Sequence, residues 1–300
     1  MQYADFALWQ RAWLETGVLE EGLKYWRGQL EGMPELLELP TDRPRRRMQT
    51  FRGDVFETAL SEDQTASLKQ LTQDNQATLY MTLLAGFAVL LSHYSGQDDI
   101  VVGSPIANRQ ELQLEEMIGF FVNTIVMRVR VKPAMTFREL LAQARRTALE
   151  AYQHQDIPFE RLVEEMSPER SLNTTPVFQV MFALQNAPWL PETLEGLHTT
   201  RVKAAEARVR TDLELYAWEE ERRIGLMWVY NVDLFDRWRV EQMARRYVRV
   251  MTHLAGNVDE PIGRMNILEE QEERQILENS NAADPAIPPA TQLVMLGGNN

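Results

Sequence analysis

From Asp5 to about Leu30 apolar residues fall at helix-compatible spacings, with Phe6, Trp9 and Trp13 first and Leu23, Trp26 and Leu30 after them. This predicts a helix, with Gly17 and Gly22 as points where it can break. The stretch "ELPTDRPRRR" reads as a proline- and arginine-rich connection, and "FRGDVFETAL" as a strand. Ser61 and Gln64 form a capping-box pair that opens a helix to about Gln73. Thr78–Tyr94 contains the longest apolar stretch, "LYMTLLAGFAVLL", and predicts a buried helix closed by Gly96.

Beyond it, "DDIVVGSPIA" reads as a short buried strand stopped by a Gly-x-Pro sequence. Residues Asn123–Val131 alternate as a half-buried strand should. Thr136–Gln153 is amphipathic, with Phe137, Leu140, Leu141, Ala144, Ala148 and Tyr152 along one side. It is expected to pack across a sheet through Phe137, Leu141 and Ala144. Three more strands are predicted at Pro176–Asn186, Asp212–Trp218 and Ile224–Asn231, then a helix at Phe235–Leu254. Helices and strands interleave irregularly, which predicts an α/β sandwich with a mixed β-sheet and flanking helices. Residues 279–300 turn to "NAADPAIPPATQLVMLGGNN", read as a linker or disordered tail.

Composition narrows the functional classes. The 300 residues carry 31 basic and 44 acidic side chains, a net charge of −13. That balance argues against a general nucleic-acid binder. The run Arg43–Arg47 stands against it, and reads either as a solvated loop or as a docking patch for an acidic partner. No apolar run reaches the roughly 18 residues of a membrane span, and the first residues lack the features of a signal peptide. With no cysteine there is no thiolate nucleophile and no disulfide framework. These features fit a cytoplasmic protein with no membrane partner.

Chemistry-bearing patterns are few. There is no Gly-x-Ser-x-Gly elbow, phosphate-binding glycine loop or His-Glu-x-x-His pair. The four histidines, His93, His154, His198 and His253, are scattered. In "AYQHQDIPFE", His154 lies two residues before Asp156 and four before Pro158. A histidine in the last turn of a helix interacts favourably with the helix dipole. Asp156 can then cap a short helix that Pro158 begins. A metal site built on His154 and Asp156 has no third ligand in the sequence.

Several blocks occur in a fixed order: "YADFALW" at Tyr3–Trp9, "IGFFVNT" at Ile118–Thr124, "HQDIPFE" at His154–Glu160 and "PERSLNTTPVFQV" at Pro168–Val180. Together with "YWRGQLEG", "LELPTDRPRR", "GSPIANR" and "MFALQNAP", they resemble the later motifs of the condensation domains of nonribosomal peptide synthetases, over about residues 3–278. The resemblance implies a chloramphenicol-acetyltransferase-like two-layer fold and one lobe of a two-lobe domain. It implies a tunnel into which donor and acceptor carrier proteins insert 4'-phosphopantetheine arms. There the acceptor amine attacks the donor thioester and a peptide bond forms.

The defining His-His-x-x-x-Asp-Gly motif of that family belongs to the first lobe and does not occur in this sequence. Residues 1–278 are therefore expected to be the second, C-terminal lobe, inactive without a first lobe. The implied partners are that first lobe, peptidyl carrier domains and an adenylation domain downstream. By the same resemblance Arg109 would pair with the aspartate of the missing motif, and Asn123 would lie on a strand near the tunnel floor. His154 and Asp156 would shape the lobe, and Thr175 would stand where the family often places an amide facing the site. A non-catalytic module that docks a carrier protein is the competing expectation.

Overall fold

The computed structural model describes residues 2–166, 173–185, 207–268 and 272–274. The expected tail from residue 279, His198, and parts of two motif blocks (168–172 and 186–188) lie outside them. The chain divides into two compact units, Met1–Arg264 and Met265–Asn300. In the second, Asn266 Nδ2 donates to Glu273 Oε2 at 3.2 Å.

The first unit opens with α1 (Tyr3–Trp13) and α2 (Leu19–Leu30), joined by a five-residue π-turn at Leu14–Val18. The predicted break is real and falls at Gly17, whose φ of 103° is poorly tolerated by residues with a Cβ. Then come β1 (Arg52–Leu60), α3 (Glu62–Asp74), α4 (Leu79–Ser95), β2 (Asp99–Ile106) and the one-turn α5 (Leu112–Glu115). They are followed by β3 (Asn123–Arg130), α6 (Phe137–Gln153), α7 (Phe159–Met166), β4 (Val180–Gln185) and β5 (Ala207–Arg208). β6 (Leu213–Glu219), β7 (Ile224–Asn231) and α8 (Arg237–Gly256) complete the main elements.

The seven strands form one sheet in the order β3-β2-β4-β6-β7-β1-β5. β4 runs parallel to β2 and to β6, and the other pairs are antiparallel. The sheet is mixed, with helices layered against it, as the resemblance implied.

Capping pairs set the helix starts. Ser61 and Gln64 form the predicted reciprocal box at α3, and Thr136 and Glu139 do the same at α6. α4 starts at Thr78 and stops at the left-handed Gly96. Its side chains are buried almost all round, because it lies between the sheet and its neighbours α3, α6 and α8. Phe87 illustrates the packing, with Phe182 of β4, Trp228 of β7 and Tyr247 of α8 all within 6.0 Å of its ring centre. α6 packs on β3 and α4, and Phe137, Leu141 and Ala144 are buried as expected. No single described helix is long and apolar enough to cross a membrane.

Two of the boundaries that differ from the sequence reading have a visible cause in the backbone. α8 begins at Arg237 rather than Phe235, because the Leu234 and Phe235 amides still bond the Asn231 carbonyl in the preceding turn. β4 begins at Val180 rather than Pro176. Val177 takes a left-handed φ of 72°, and the Phe178 amide bonds the Pro176 carbonyl at 2.9 Å. That i to i+2 bond around a positive φ is the rare, strained form of γ-turn, and it turns the chain before the strand can start.

Candidate functional site

The motif blocks that lie far apart in the sequence meet in space. Asn123, at the start of β3, is buried. Its Nδ2 donates to the carbonyls of Gln155 and Ile157, both at 2.8 Å, and its Oδ1 accepts from the Phe159 amide at 3.0 Å. One side chain thus satisfies three backbone groups of the "HQDIPFE" block. A buried backbone group left unpaired is costly, so this clamp fixes the turn into α7.

The clamp corrects the expected role of Asp156. The Arg161 and Leu162 amides bond the Pro158 carbonyl, so Pro158 stands just before α7 and Phe159 is its first residue. The Phe159 amide is satisfied by Asn123, not by Asp156. Asp156 Oδ1 instead accepts from Gln110 Nε2 at 2.7 Å. Half-burial pushes the Asp156 carboxyl above the ordinary aspartate range, and the Gln110 hydrogen bond offsets only part of that.

His154 terminates α6, as its position in the sequence predicted. Its ring stacks on Tyr25 of α2, with centroids 4.1 Å apart and planes at 19°. Its carbonyl accepts from Trp26 Nε1 at 3.2 Å. The Tyr25 hydroxyl is buried without a hydrogen-bond partner among the described residues, and burial raises its pKa, with the Glu150 charge adding to the shift.

Arg109 is turned to its own loop. One guanidinium nitrogen donates to the carbonyls of Leu114, Glu115 (3.4 Å) and Met117 (2.8 Å). The guanidinium carbon sits 4.2 Å from the centre of the Phe121 ring. This loop and α1 build a small satellite core from Phe6, Leu114 and Phe121, with Met117 packed against it. The Tyr3 hydroxyl donates to the Phe120 carbonyl at 2.8 Å. On α1 and this loop Leu8, Trp9, Leu112, Ile118 and Phe120 are each more than half exposed.

Thr175 stands on the strained segment before β4, its hydroxyl donating to the Arg210 carbonyl at 3.2 Å. The segment is held by Gln179, which accepts from the Leu37 amide at 2.8 Å and donates to the Thr175 carbonyl at 3.1 Å. Phe178 lies across Gly103 of β2, where a Cβ would come within 2.3 Å of its ring. It also meets Phe159 at 5.3 Å. "YADFALW" therefore touches "IGFFVNT", which clamps "HQDIPFE", which packs on the described part of "PERSLNTTPVFQV".

Two features escaped sequence reasoning. Arg128 of β3 is buried, pairs with Asp99 at 2.6 Å, and donates to the Gln29 and Glu31 carbonyls at 2.9 and 2.8 Å. It ties the strand pair to the end of α2. An arginine in an alternating strand gives no sign of such burial. Most of the basic run is also consumed internally: Arg43 pairs with Asp236, Arg45 forms a forked pair with Asp212, and Arg46 reaches Asp233 at 3.3 Å. It is neither a purely solvated loop nor a wholly free docking patch.

The described site residues offer no nucleophile–base pair. His93 Nδ1 meets the Val89 carbonyl of its own helix, and His253 lies 4.0 Å from Glu260. Among the described residues no three potential ligands gather for a metal ion. What the arrangement does is lock the loops and helix ends that carry the motifs into one surface.

The comparisons with known proteins agree with that architecture. The Condensation domain family model matches residues 1–277. The chain is 43% identical over 290 residues to a linear gramicidin synthase of Brevibacillus parabrevis, covering 96% of this chain and 4% of that protein. It is 41% identical over 281 residues to malpinin synthetase of Mortierella alpina, covering 94% of this chain and 4% of the relative. Among solved structures it is similar to the X-domain from teicoplanin biosynthesis, with a TM-score of 0.83 and 29% identity over 89% of this chain and 62% of that one. A four-domain nonribosomal peptide synthetase bound to AMP and glycine matches with a TM-score of 0.78 and 26% identity, over 84% of this chain and 20% of that one. The chain thus spans only a small part of the curated relatives it matches. It belongs to the condensation-domain family of nonribosomal peptide synthetases.

Proposed function

We propose that this chain is the second lobe of a peptide-bond-forming condensation domain and works with a first lobe that carries the His-His-x-x-x-Asp-Gly motif. The acceptor's amine, on one phosphopantetheine arm, attacks the thioester carbonyl of the donor on another. A C–N bond forms, the C–S bond breaks, and the donor arm's thiol leaves. The described residues of this lobe contribute position rather than proton transfer, and orientation of two bound reactants is worth up to about 7–11 kcal/mol. Alone, the lobe lacks the motif histidine and one wall of the tunnel, so it is inactive.

The observation that carries this reading is the exposure of large apolar side chains in two of the family motifs, Leu8 and Trp9 in one and Ile118 and Phe120 in the other. Large apolar side chains left exposed together mark a place where another surface belongs, and here that surface is the first lobe. The implied donor and acceptor carrier proteins, and a downstream adenylation domain, are the parent synthetase's other partners. Hydrogen exchange tests the pairing. Adding a separately expressed first lobe slows exchange across residues 112–122. Unchanged exchange with the lobe present in excess sinks the reading.

A second reading has one observation in its favour. The X-domain neighbour also appears in solved form as "Complex of the X-domain and OxyB", at a TM-score of 0.81 and 28% identity. A domain similar to this chain thus forms a complex with another protein, and the second reading is that this chain docks a carrier protein without forming a peptide bond. Product formation separates the two readings.

A further inference from the structure

The first two helices are neighbours in the chain but are held in opposite ways. α2 is fixed to the main body: Leu23, Trp26 and Leu30 are buried, and a Cβ at Gly22 would come within 2.3 Å of Ile157, between α6 and α7. α1 has one buried residue, Phe6. Its buried partners, Leu114 and Phe121, both belong to residues 107–122. The Tyr3 and Phe121 rings meet at 5.2 Å, and the Tyr3 hydroxyl bonds the Phe120 carbonyl. The loop's turns close on themselves, the Leu114 amide bonding the Glu111 carbonyl and the Met117 amide the Leu114 carbonyl. α1 and residues 107–122 thus cohere through a core apart from the main one.

The connections to the main body suit rotation. No residue of the Leu14–Val18 turn is buried, and nothing lies within 4 Å of where a Cβ on Gly17 would stand. Glycine accommodates wide changes of φ, and hinges are a few loop or element-terminal residues that absorb such changes. Asn108, two residues after β2, takes a left-handed φ of 51°, a region that asparagine enters more readily than most residues. The return connection passes through Val122, 49% exposed, before Asn123 fixes the chain. A hydrogen bond crosses from the loop to the main body, Gln110 Nε2 to Asp156 Oδ1 at 2.7 Å. A single exposed side-chain bond of this kind is a weak tie.

We propose that α1 and residues 107–122 swing as one body about Gly17, Asn108 and Val122, and that the Gln110–Asp156 hydrogen bond latches this body against the turn between α6 and α7. The two-lobe reading supplies only the purpose of the swing. Leu8, Trp9, Ile118 and Phe120 ride on the body, so the latch presets where the first lobe is met.

The test is the distance between pairs of spin labels, measured by pulsed electron–electron double resonance in the full chain, which has no cysteine of its own. One pair joins Arg11→Cys on α1 to Lys132→Cys just beyond β3. A second pair, Arg11→Cys with Glu116→Cys, lies inside the body, and all three positions are exposed. With the latch intact the first pair should show one dominant distance. Gln110→Ala and Asp156→Ala each remove the latch, and each is expected to raise the population at a second distance about fivefold. The inner pair should keep its single distance in both. Asp156→Asn retains an oxygen for Gln110 and should keep the original distribution. If the first pair is unchanged in both alanine variants, or if the inner pair broadens with it, the inference is overturned.

A second arm tests the purpose separately. A separately expressed first lobe, added in excess, should return the Gln110→Ala chain to one distance. Two distances persisting there would overturn the seating of the first lobe on this body, while the measurement on the chain alone still decides the swing.

Discussion

Asn123 does more for the motif surface than any ionisable residue near it. It is legible in "IGFFVNT" as a motif residue, but its role is not, because its three partners lie more than thirty residues away. Asn123→Ala leaves two carbonyls and one amide unsatisfied, so it is expected to destabilise the chain by about 2–4 kcal/mol in urea unfolding. Val177 gave no sequence signal at all, since a β-branched residue before "FQV" reads as strand. Ordinarily alanine is more stable than glycine by about 0.5–1 kcal/mol inside a strand. At the φ of 72° found here the order reverses, because a left-handed L-residue costs roughly 1–2 kcal/mol. Val177→Gly should therefore melt higher than Val177→Ala. Asp156 gives a pH signature. Its folded pKa lies above the ordinary value, so the folded state binds the proton more tightly and stability falls as pH rises through that interval. Asp156→Asn, which keeps an oxygen for Gln110, should remove this slope. Its stability relative to the unaltered chain should grow from pH 3 to pH 7, and a constant difference would contradict the burial argument.

Elements were legible where local chemistry decided them. α3, α4 and α6 begin at polar caps and carry long periodic patterns, so sequence and structure agree to within a residue or two. β4 and α8 start late because turns held by distant or preceding backbone groups come first. The two-residue β5 is too short to leave a pattern. α1 and the loop after β2 form a unit of their own, joined to α2 through the Gly17 turn and internally braced by Arg109. Arg109 was expected to reach for another lobe's aspartate. Its bonds to the Glu115 and Met117 carbonyls give it a bracing role within this chain that holds whatever it also meets. Arg109→Ala is expected to speed amide exchange across residues 112–122 about tenfold, with a much smaller change in global stability. Arg109→Lys should not restore protection, because one ammonium cannot both serve the carbonyls and cover the Phe121 ring. If exchange stays slow in Arg109→Ala, the loop is held by the apolar satellite alone.

At the scale of the molecule, the mixed sheet and its helical layer were readable from the irregular order of patterns, and the family from four motifs in sequence. The sheet order was not readable, because parallel neighbours such as β2, β4 and β6 are far apart in the chain. The motifs converge on one braced surface, held by Asn123 and by the packing of Phe159 on Phe178. The central claim is that such a lobe makes peptide bonds only when a motif-bearing lobe faces it. The direct measurement is mass spectrometry of the acceptor carrier domain in a single turnover, with donor and acceptor thioesters loaded on separate carriers. With this chain joined to a first lobe containing His-His-x-x-x-Asp-Gly, the acceptor carrier should gain the mass of the donor acyl group. This chain alone should give no gain. A dipeptidyl carrier formed by this chain alone, or none formed by the joined lobes while both carriers bind, would contradict the account.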